Sequence, residues 1–168
     1  MNLASFNALP PAEAADVVRV WAAIPTWVDT VVAARPFASV DDAVAVAATA
    51  AAAWTAADLD QALAHHPRIG QRPAGAGAEA DASRREQASM AGAVAATSAA
   101  IASANAVYEA RFGRVFLIRA AGRSPDEMLA EATRRLRNDA ATEATEALEQ
   151  LRQIAVLRLQ TTFEGDDA

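Results

Sequence analysis

Residues 39–54, SVDDAVAVAATAAAAW, decide the fold class of this chain. Ser39 is predicted to be a helix N-cap, and the two aspartates of the first turn lie where the helix dipole favours carboxylates. The rest of the stretch is almost entirely Ala and Val, and Ala is the strongest helix former. We therefore predict a helix that runs to Trp54 and whose small side chains let a neighbouring helix pack closely.

A similar composition extends over the whole chain. Of its 168 residues, 53% are hydrophobic but only 5% are aromatic, and Gly and Pro number seven each. A chain of this length can bury a sizeable core in one domain, and this composition is typical of helical proteins. We predict a single all-α domain over residues 1–168, a bundle of about seven to nine helices without a β-sheet.

Apolar periodicity and capping residues place the individual elements. A capping box at Ser124, with Pro125 at the first helical position, opens one helix, and Gly113 is predicted to end another. Residues 115–121 form an apolar run, which we predict to be a buried extended connector. The predicted helices are one after Pro11 with Val17, Val20, Trp21 and Ile24 on its apolar side, one from Pro25 that stops before Pro36, and others at about 39–54, 55–64, 81–112, 124–138 and 140–162, with a loop from Pro67 to about Ala80.

The charges and the missing residue types exclude several functions. The net charge is −6, and the sequence has no convincing basic patch of the kind that binds nucleic acid. The pairs Arg84–Arg85 and Arg134–Arg135 stand among acidic residues and are predicted to be solvated. Cysteine and lysine are both missing, which excludes disulfides, thiolate nucleophiles and lysine imines, and with the imines pyridoxal phosphate.

The sequence predicts neither a secretory nor a membrane segment. The first residues lack the basic stretch of a signal peptide. The longest apolar run, from Ala43 to Trp54, is too short to span a bilayer. We expect a soluble protein of the cytoplasm that has no membrane partner.

Polar residues occupy positions of the predicted 81–112 helix that an apolar stripe should fill. Ser83, Glu86 and Gln87 open the stripe, and Asn105 interrupts it further along. Burial of such groups costs free energy unless they are paired, so a polar partner should lie opposite. The alternative is that Ser83 and Glu86 merely form a capping box that faces water. The other members of the stripe are Met90, Val94, Ile101, Ala104, Tyr108 and Phe112.

The last helix repeats this anomaly at Arg158. Its buried stripe is predicted to include Leu151, Ile154 and Ala155, after Leu148, and Arg158 is the next member. One interpretation is that the guanidinium reaches the surface while only its stem is packed. The other is that it holds an anionic ligand or a buried carboxylate with paired hydrogen bonds.

His66 is predicted at the C-terminal end of a helix, where the dipole favours the imidazolium. A neighbouring Glu86 carboxylate would favour that charged form further, and the pair would suit a proton donor near neutral pH. The alternative is a histidine that only caps the helix. A metal site is not expected, because His65 and His66 are the only histidines and point about 100° apart on a helix.

Taken together, these residues resemble the 2-oxo-4-hydroxy-4-carboxy-5-ureidoimidazoline (OHCU) decarboxylases of urate breakdown. The resemblance spans nearly the whole chain in collinear order. It rests on Phe6–Asn7, His66–Pro67–Arg68–Ile69–Gly70, Ser83 with Glu86–Gln87, Asn105 with Tyr108, Arg111–Phe112–Gly113 with Phe116, Gly122–Arg123–Ser124, and Ile154–Ala155 with Arg158–Leu159.

The resemblance implies an all-helical homodimer that makes (S)-allantoin from a small-molecule substrate without a cofactor. It implies that His66 is the catalytic acid and that Pro67 shapes its loop. Ser83, Glu86 and Gln87 would bind the substrate and handle protons, with Glu86 as the second catalytic residue. The other implied substrate contacts are Arg158, on an anionic or carbonyl edge, and backbone groups of the connector at Phe116, Leu117, Ile118, Arg119 and Ala120.

The implied chemistry agrees with the missing residue types. Decarboxylation needs an electron sink, which lysine imines, thiamine or metals usually supply. The family's substrate carries its own sink, a ring C=N one carbon from the carboxylate, so the protein need only bind, orient and move protons. Two alternatives stay open: a non-enzymatic helical interaction module, in which Glu86 and Arg158 are solvent-exposed, and a family member that acts on another small ureido or imidazoline acid.

Overall fold

The computed structural model of this chain describes residues 1–64, 68–70 and 77–164. These residues form nine α-helices and one short 3-10 segment and no strand, which confirms the all-α prediction. None of the described helices is long and apolar enough to cross a membrane. The helices are α1 (Leu3–Ala8), α2 (Pro11–Trp21), α3 (Pro25–Ala33), α4 (Val40–Ala51), α5 (Ala56–Leu63), α6 (Ala78–Glu86), α7 (Ala95–Phe112), α8 (Pro125–Arg135) and α9 (Ala140–Phe163), with the 3-10 segment at Ala88–Gly92.

The chain divides into two compact units, the first made of residues 1–62 and the residues from Arg152 onward, the second of residues 63–151. In the first unit, Phe6, Trp21 and Phe163 form an aromatic cluster whose ring centroids lie 5.5–5.9 Å apart. Such tilted and edge-on pairs are the favoured geometry for buried aromatic rings. The prediction that residues 1–168 act as a single domain stays a prediction.

Helix α4 has the small-residue face that the sequence predicts. Ser39 caps it by accepting a hydrogen bond from a backbone N–H of the first turn. Ala43, Ala47 and Ala51 are buried one turn apart, and α4 packs against α3. The helix ends at Ala51, three residues before the predicted end. Trp54 follows after a turn and is buried.

The N-terminal residues differ from the prediction in two ways. Helix α1 is not among the predicted helices, although Asn2 caps it by accepting from the N–H of Ser5 and Phe6 is fully buried. Helix α2 ends at Trp21, and Ile24 is buried as the N-cap residue of α3. The predicted buried stripe is also wrong by about one position, because Val18 is buried while Val17 and Val20 are only partly buried. The buried residues of α2 are Ala14, Ala15, Val18 and Trp21.

The helix predicted over residues 81–112 is wrong as one element. The chain forms α6, then the 3-10 segment, then α7, and Val94 before α7 is extended and 70% exposed. Gly92 is a weak helix former within the break, but the alanines around it keep the helix propensity high, so the local pattern does not clearly reveal the break. Helix α7 ends as predicted at Gly113, whose φ of +70° is the left-handed conformation of a helix C-cap.

Residues 115–120 form the predicted connector, which is neither helical nor turned. It is followed by α8, whose capping box at Ser124 and Glu127 has both of its hydrogen bonds. The connector contributes three side chains to the apolar core of the second unit. The core residues are Ile69, Ile101, Tyr108, Phe116, Ile118, Ala120, Met128 and Ala132.

Candidate active site

Ser83 and Glu86 lie three residues apart on one face of α6. The helix begins at Ala78 with Gly77 as its N-cap residue, so Ser83 belongs to the helix interior, and it is only 1% exposed. A residue in that position does not cap a helix, and the capping-box interpretation of Ser83 and Glu86 is therefore wrong. Glu86 is half-buried at the last position of the helix. The sequence thus places a hydroxyl and a carboxylate together on a buried face.

Gln87 directly follows α6 and binds the backbone of Gly70. Its side-chain Oε1 accepts a hydrogen bond from the Gly70 N–H at 3.0 Å. Because the partner is a donor, the amide oxygen must face Gly70 and the amide nitrogen must point elsewhere. Gly70 has a φ of +80°, a conformation that a side chain would strain. The family motif residue Gly70 therefore has a structural reason to be glycine.

Helix α7 holds the same short segment, residues 68–70, from the other direction. Asn105 is 5% exposed, and its Nδ2 donates to the carbonyl of Ile69 at 2.9 Å. This carbonyl is the polar partner that the buried Asn105 predicts, so that prediction is confirmed. Arg68 adds a two-pronged ion pair to Glu109, with N···O distances of 2.5 and 2.8 Å. Three side chains thus fix the segment that follows His66 and Pro67 in sequence.

The connector lies against this segment. Ile69 shares one apolar cluster with Phe116, Ile118 and Ala120. The structure therefore brings together the 68–70 segment, Gln87 and the connector, all in the second unit. The predicted catalytic His66 and its neighbour Pro67 lie outside the described residues.

Two backbone groups of the connector are already bound by side chains. The Leu117 carbonyl accepts from Arg135 Nη1 at 2.7 Å, and the Arg119 N–H donates to Gln150 Oε1 at 3.0 Å. The backbone of Ile118, between them, makes no hydrogen bond within the part of the chain that the structure describes. Of the five predicted connector contacts, Leu117 and Arg119 thus have one backbone group each that is not available to a ligand.

Arg158 lies on α9 in the first unit and is 5% exposed. Its Nη1 donates to the carbonyl of Val20 at 2.8 Å. A guanidinium buried in this way does not reach out to water, so the surface interpretation of Arg158 is wrong. The interaction-module alternative requires an exposed Arg158, and it is wrong on the same point.

The pair Arg134–Arg135 was predicted to be solvated, and this is wrong for Arg135. Arg134 is half-buried and binds Glu131 and Glu146, whereas Arg135 is 1% exposed and forms an ion pair with Glu143, which is fully buried. The sequence does contain a signal for this burial. Met128, Ala132 and Arg135 follow the spacing of one helix face, and the first two are core residues.

Tyr108 completes this buried group of polar side chains. Its hydroxyl donates to Glu143 Oε1, and it is the only tyrosine of the chain. Burial, reinforced by that hydrogen bond to a carboxylate, raises the pKa of the Tyr108 hydroxyl far above its ordinary value. Tyr108, Arg135 and Glu143 thus form one buried hydrogen-bonded network next to the connector.

The described residues thus form an all-α protein in which α6 carries a polar face and the connector packs against the 68–70 segment. A family model described as OHCU decarboxylase matches residues 7–160. Since that is most of the chain, the chain belongs to the OHCU decarboxylase family. The family activity is that of a carboxy-lyase that decarboxylates OHCU to allantoin in purine catabolism.

Solved structures agree with the fold. An OHCU decarboxylase crystallised in the presence of (S)-allantoin has 24% identity and a TM-score of 0.74, and the match covers 86% of this chain and 95% of that one. An (S)-allantoin synthase has 17% identity and a TM-score of 0.70, with all of this chain aligned to 56% of that longer one. No curated protein matches the sequence at a significant level.

Proposed function

We propose that this chain decarboxylates OHCU to (S)-allantoin on the surface formed by α6, the 68–70 segment and the connector. The observation that carries the proposal is the family match over residues 7–160. The buried Ser83 inside α6, next to Glu86, supports it, because a helical interaction module has no need for a hydroxyl and a carboxylate on a buried face.

Glu86 takes the proton of the substrate hydroxyl in this proposal, and Ser83 orients the reacting groups. The C–C bond to the carboxylate breaks, CO₂ leaves, and the electron pair moves toward the ring C=N. The hydroxyl becomes a carbonyl as Glu86 accepts its proton and passes it to the ring nitrogen. His66 delivers a second proton, which it recovers from solvent, to the carbon that bears the ureido group. Delivery to one face fixes the S configuration, and the net reaction consumes one proton.

The backbone geometry of the connector supports a role in binding the substrate ring. In an extended segment, the N–H and C=O groups of alternate residues point to the same edge. Leu117 and Arg119 use one edge to bind Arg135 and Gln150, so Ile118 and the Ala120 N–H face the other. That edge offers a donor, an acceptor and a donor in a row, which matches the alternating N–H and C=O groups of a cyclic ureide.

Gln87, in the second unit, and Arg158, in the first unit, are two further residues that we propose to contact the substrate. Because the Gly70 N–H fixes the oxygen of the Gln87 amide, its nitrogen is left as a donor for a substrate carbonyl. Arg158 supplies a positive charge that the Val20 carbonyl orients, and such a charge suits an anionic or carbonyl edge. Pro67 shapes the loop that carries His66.

We also propose that the protein acts without a cofactor, as a homodimer in the cytoplasm. The lack of cysteine and lysine and the electron sink in the substrate support the first part. Activity that survives exhaustive dialysis against a chelator, and a sedimentation mass twice that of the 17.5 kDa chain, are the expected results. Loss of activity on dialysis or a monomeric mass would contradict them.

The catalytic assignments are tested with freshly generated substrate and chiral HPLC of the allantoin formed. Glu86→Gln keeps the size of the side chain and removes the base, and the matched control is Glu79→Gln in the exposed first turn of the same helix. His66→Ala is compared with His65→Ala. We expect Glu86→Gln and His66→Ala to lose about a hundredfold or more in kcat, the contribution typical of general acid–base catalysis, and the controls to keep it. Undiminished turnover in either catalytic variant would reject its role.

A further inference from the structure

We infer that Arg135 and Gln150 are positioning residues that hold one edge of the connector and thereby aim its other edge at the substrate. The inference rests on the proposed function, in which Ile118 and Ala120 bind the substrate ring. Neither Arg135 nor Gln150 touches the reacting atoms in this scheme. They act through the backbone that they bind.

Arg135 contacts two consecutive residues of the connector. Its Nη1 binds the Leu117 carbonyl at 2.7 Å, and its guanidinium lies over the ring of Phe116, 4.8 Å from the ring centroid. The first contact fixes a backbone group and the second fixes the neighbouring side chain. Together they set both the position and the rotation of the chain entering Ile118.

Glu143 holds Arg135 in a single orientation. Its Oε1 accepts from Arg135 Nε at 2.9 Å, from Arg135 Nη2 and from the Tyr108 hydroxyl, and its Oε2 accepts from Asn138 Nδ2 at 2.9 Å. A buried ion pair contributes little to stability compared with well-packed apolar residues, because both charges lose their water. What this network does provide is a rigid guanidinium with one N–H group aimed at Leu117.

Gln150 makes the equivalent contact two residues further along. It lies on α9, and its Oε1 accepts the Arg119 N–H at 3.0 Å. In the extended conformation predicted for the connector, residues 117 and 119 share one edge, so α8 and α9 would both bind that edge. The backbone of Ile118 must then face the opposite way.

A positioning role and a structural role predict different kinetics. The substrate ring is bound in the ground state and in the transition state alike, so a misplaced connector raises KM and leaves kcat nearly unchanged. A variant that is merely unstable contains fewer active molecules, which lowers the apparent kcat and leaves KM unchanged. The ratio of the two effects therefore distinguishes the roles.

The first variant is the double substitution Arg135→Met with Glu143→Gln, which removes the contact with Leu117 without leaving a buried charge unpaired. Its control is Arg134→Met, the same change one residue earlier on α8, where the side chain binds the half-buried carboxylates of Glu131 and Glu146 and not the connector. The second variant is Gln150→Leu, which removes the acceptor for Arg119, and Gln150→Glu restores an acceptor at the same place. Hydrogen exchange of the amides at 116–120 is measured on every variant and does not depend on activity.

We expect the double variant to fold, with KM raised about tenfold, as for the loss of one charged hydrogen bond, and with faster exchange over 116–120. We expect a smaller rise in KM for Gln150→Leu and wild-type values for Arg134→Met and Gln150→Glu. A double variant that does not fold would assign the ion pair to stability and overturn its positioning role, and wild-type KM and exchange in Gln150→Leu would overturn that of Gln150. If wild-type protein makes no allantoin, the proposed function fails, and the exchange data still decide whether the two side chains hold the connector.

Discussion

Replacement of Tyr108 by phenylalanine isolates one hydrogen bond of the buried network. Tyr108 is fully buried, and its ring packs against Phe112 and Phe116 at centroid distances of 4.8 and 5.1 Å, contacts that phenylalanine keeps. The variant loses only the hydroxyl that donates to Glu143 Oε1. That oxygen still accepts from Arg135, so the change leaves no orphaned charge.

A hydrogen bond to a charged group contributes about 1.5–3 kcal/mol, and we expect a loss of about 2 kcal/mol in the free energy of unfolding. For a domain of this size the melting temperature should fall by about 4–8 °C. Urea denaturation at pH 7, followed by far-ultraviolet circular dichroism, measures the loss. Thr133→Val removes an exposed hydroxyl on α8 that binds only the Leu129 carbonyl, and it should change stability by less than about 0.5 kcal/mol. An equally small loss for Tyr108→Phe would show that the buried hydrogen bond contributes nothing.

The remaining predictions concern the ionisation of Tyr108, two glycines with positive φ, and the carboxylates that bind Arg134. Absorbance at alkaline pH reports on Tyr108 alone, and it should show no ionisation near the ordinary pKa of 10.0. Because the pKa is raised in the folded state, the contribution of Tyr108 to stability is fully present below pH 10 and is lost as the pH rises above it. Gly70→Ala should lower the free energy of unfolding by about 1–2 kcal/mol in urea denaturation because the φ of Gly70 is +80°, and it should lower activity. Gly113→Ala, where φ is +70° and the space around is open, should lower the free energy of unfolding by as much but leave activity intact. The two carboxylates that bind Arg134 have pKa values held below the ordinary 4.5, so their contribution to the free energy of unfolding is present above pH 4.5 and is lost as the pH falls. Arg134→Met should therefore make stability depend less on pH in the acid range. An unchanged dependence would contradict the assignment.

The helix boundaries that depend on local chemistry could be predicted from the sequence. Ser39, Gly113 and Ser124 each act through hydrogen bonds or backbone angles within a few residues, so their patterns are complete in the sequence. The break between α6 and α7 has no such local cause. Alanine-rich sequence favours a helix on both sides of it, and the 3-10 segment keeps Met90 against the core, so the apolar periodicity continues through the break.

The polar residues of the site could be predicted as anomalies but not in their contacts. The position of Asn105 on an apolar stripe predicts a buried polar partner. That partner is the carbonyl of Ile69, which lies 36 residues away in sequence. Arginine is usually exposed, yet Arg135 and Arg158 each continue the buried stripe of a helix, which is a sequence signal for burial. Their hydrogen-bond partners, such as the carbonyls of Leu117 and Val20, are set by tertiary packing. The contacts of Asn7, another residue of the family motif, also could not be predicted from the sequence. Its side chain donates to the carbonyl of Phe37 and accepts from the N–H of Phe37, which gives it a structural role in the first unit.

The decisive test of the proposed activity is the circular dichroism of the allantoin formed when wild-type protein is added to freshly made OHCU. Spontaneous decay gives no excess of one enantiomer. We expect a faster reaction whose product has the signal of (S)-allantoin, in proportion to the amount of protein. Product formed at the spontaneous rate and without optical activity would contradict it.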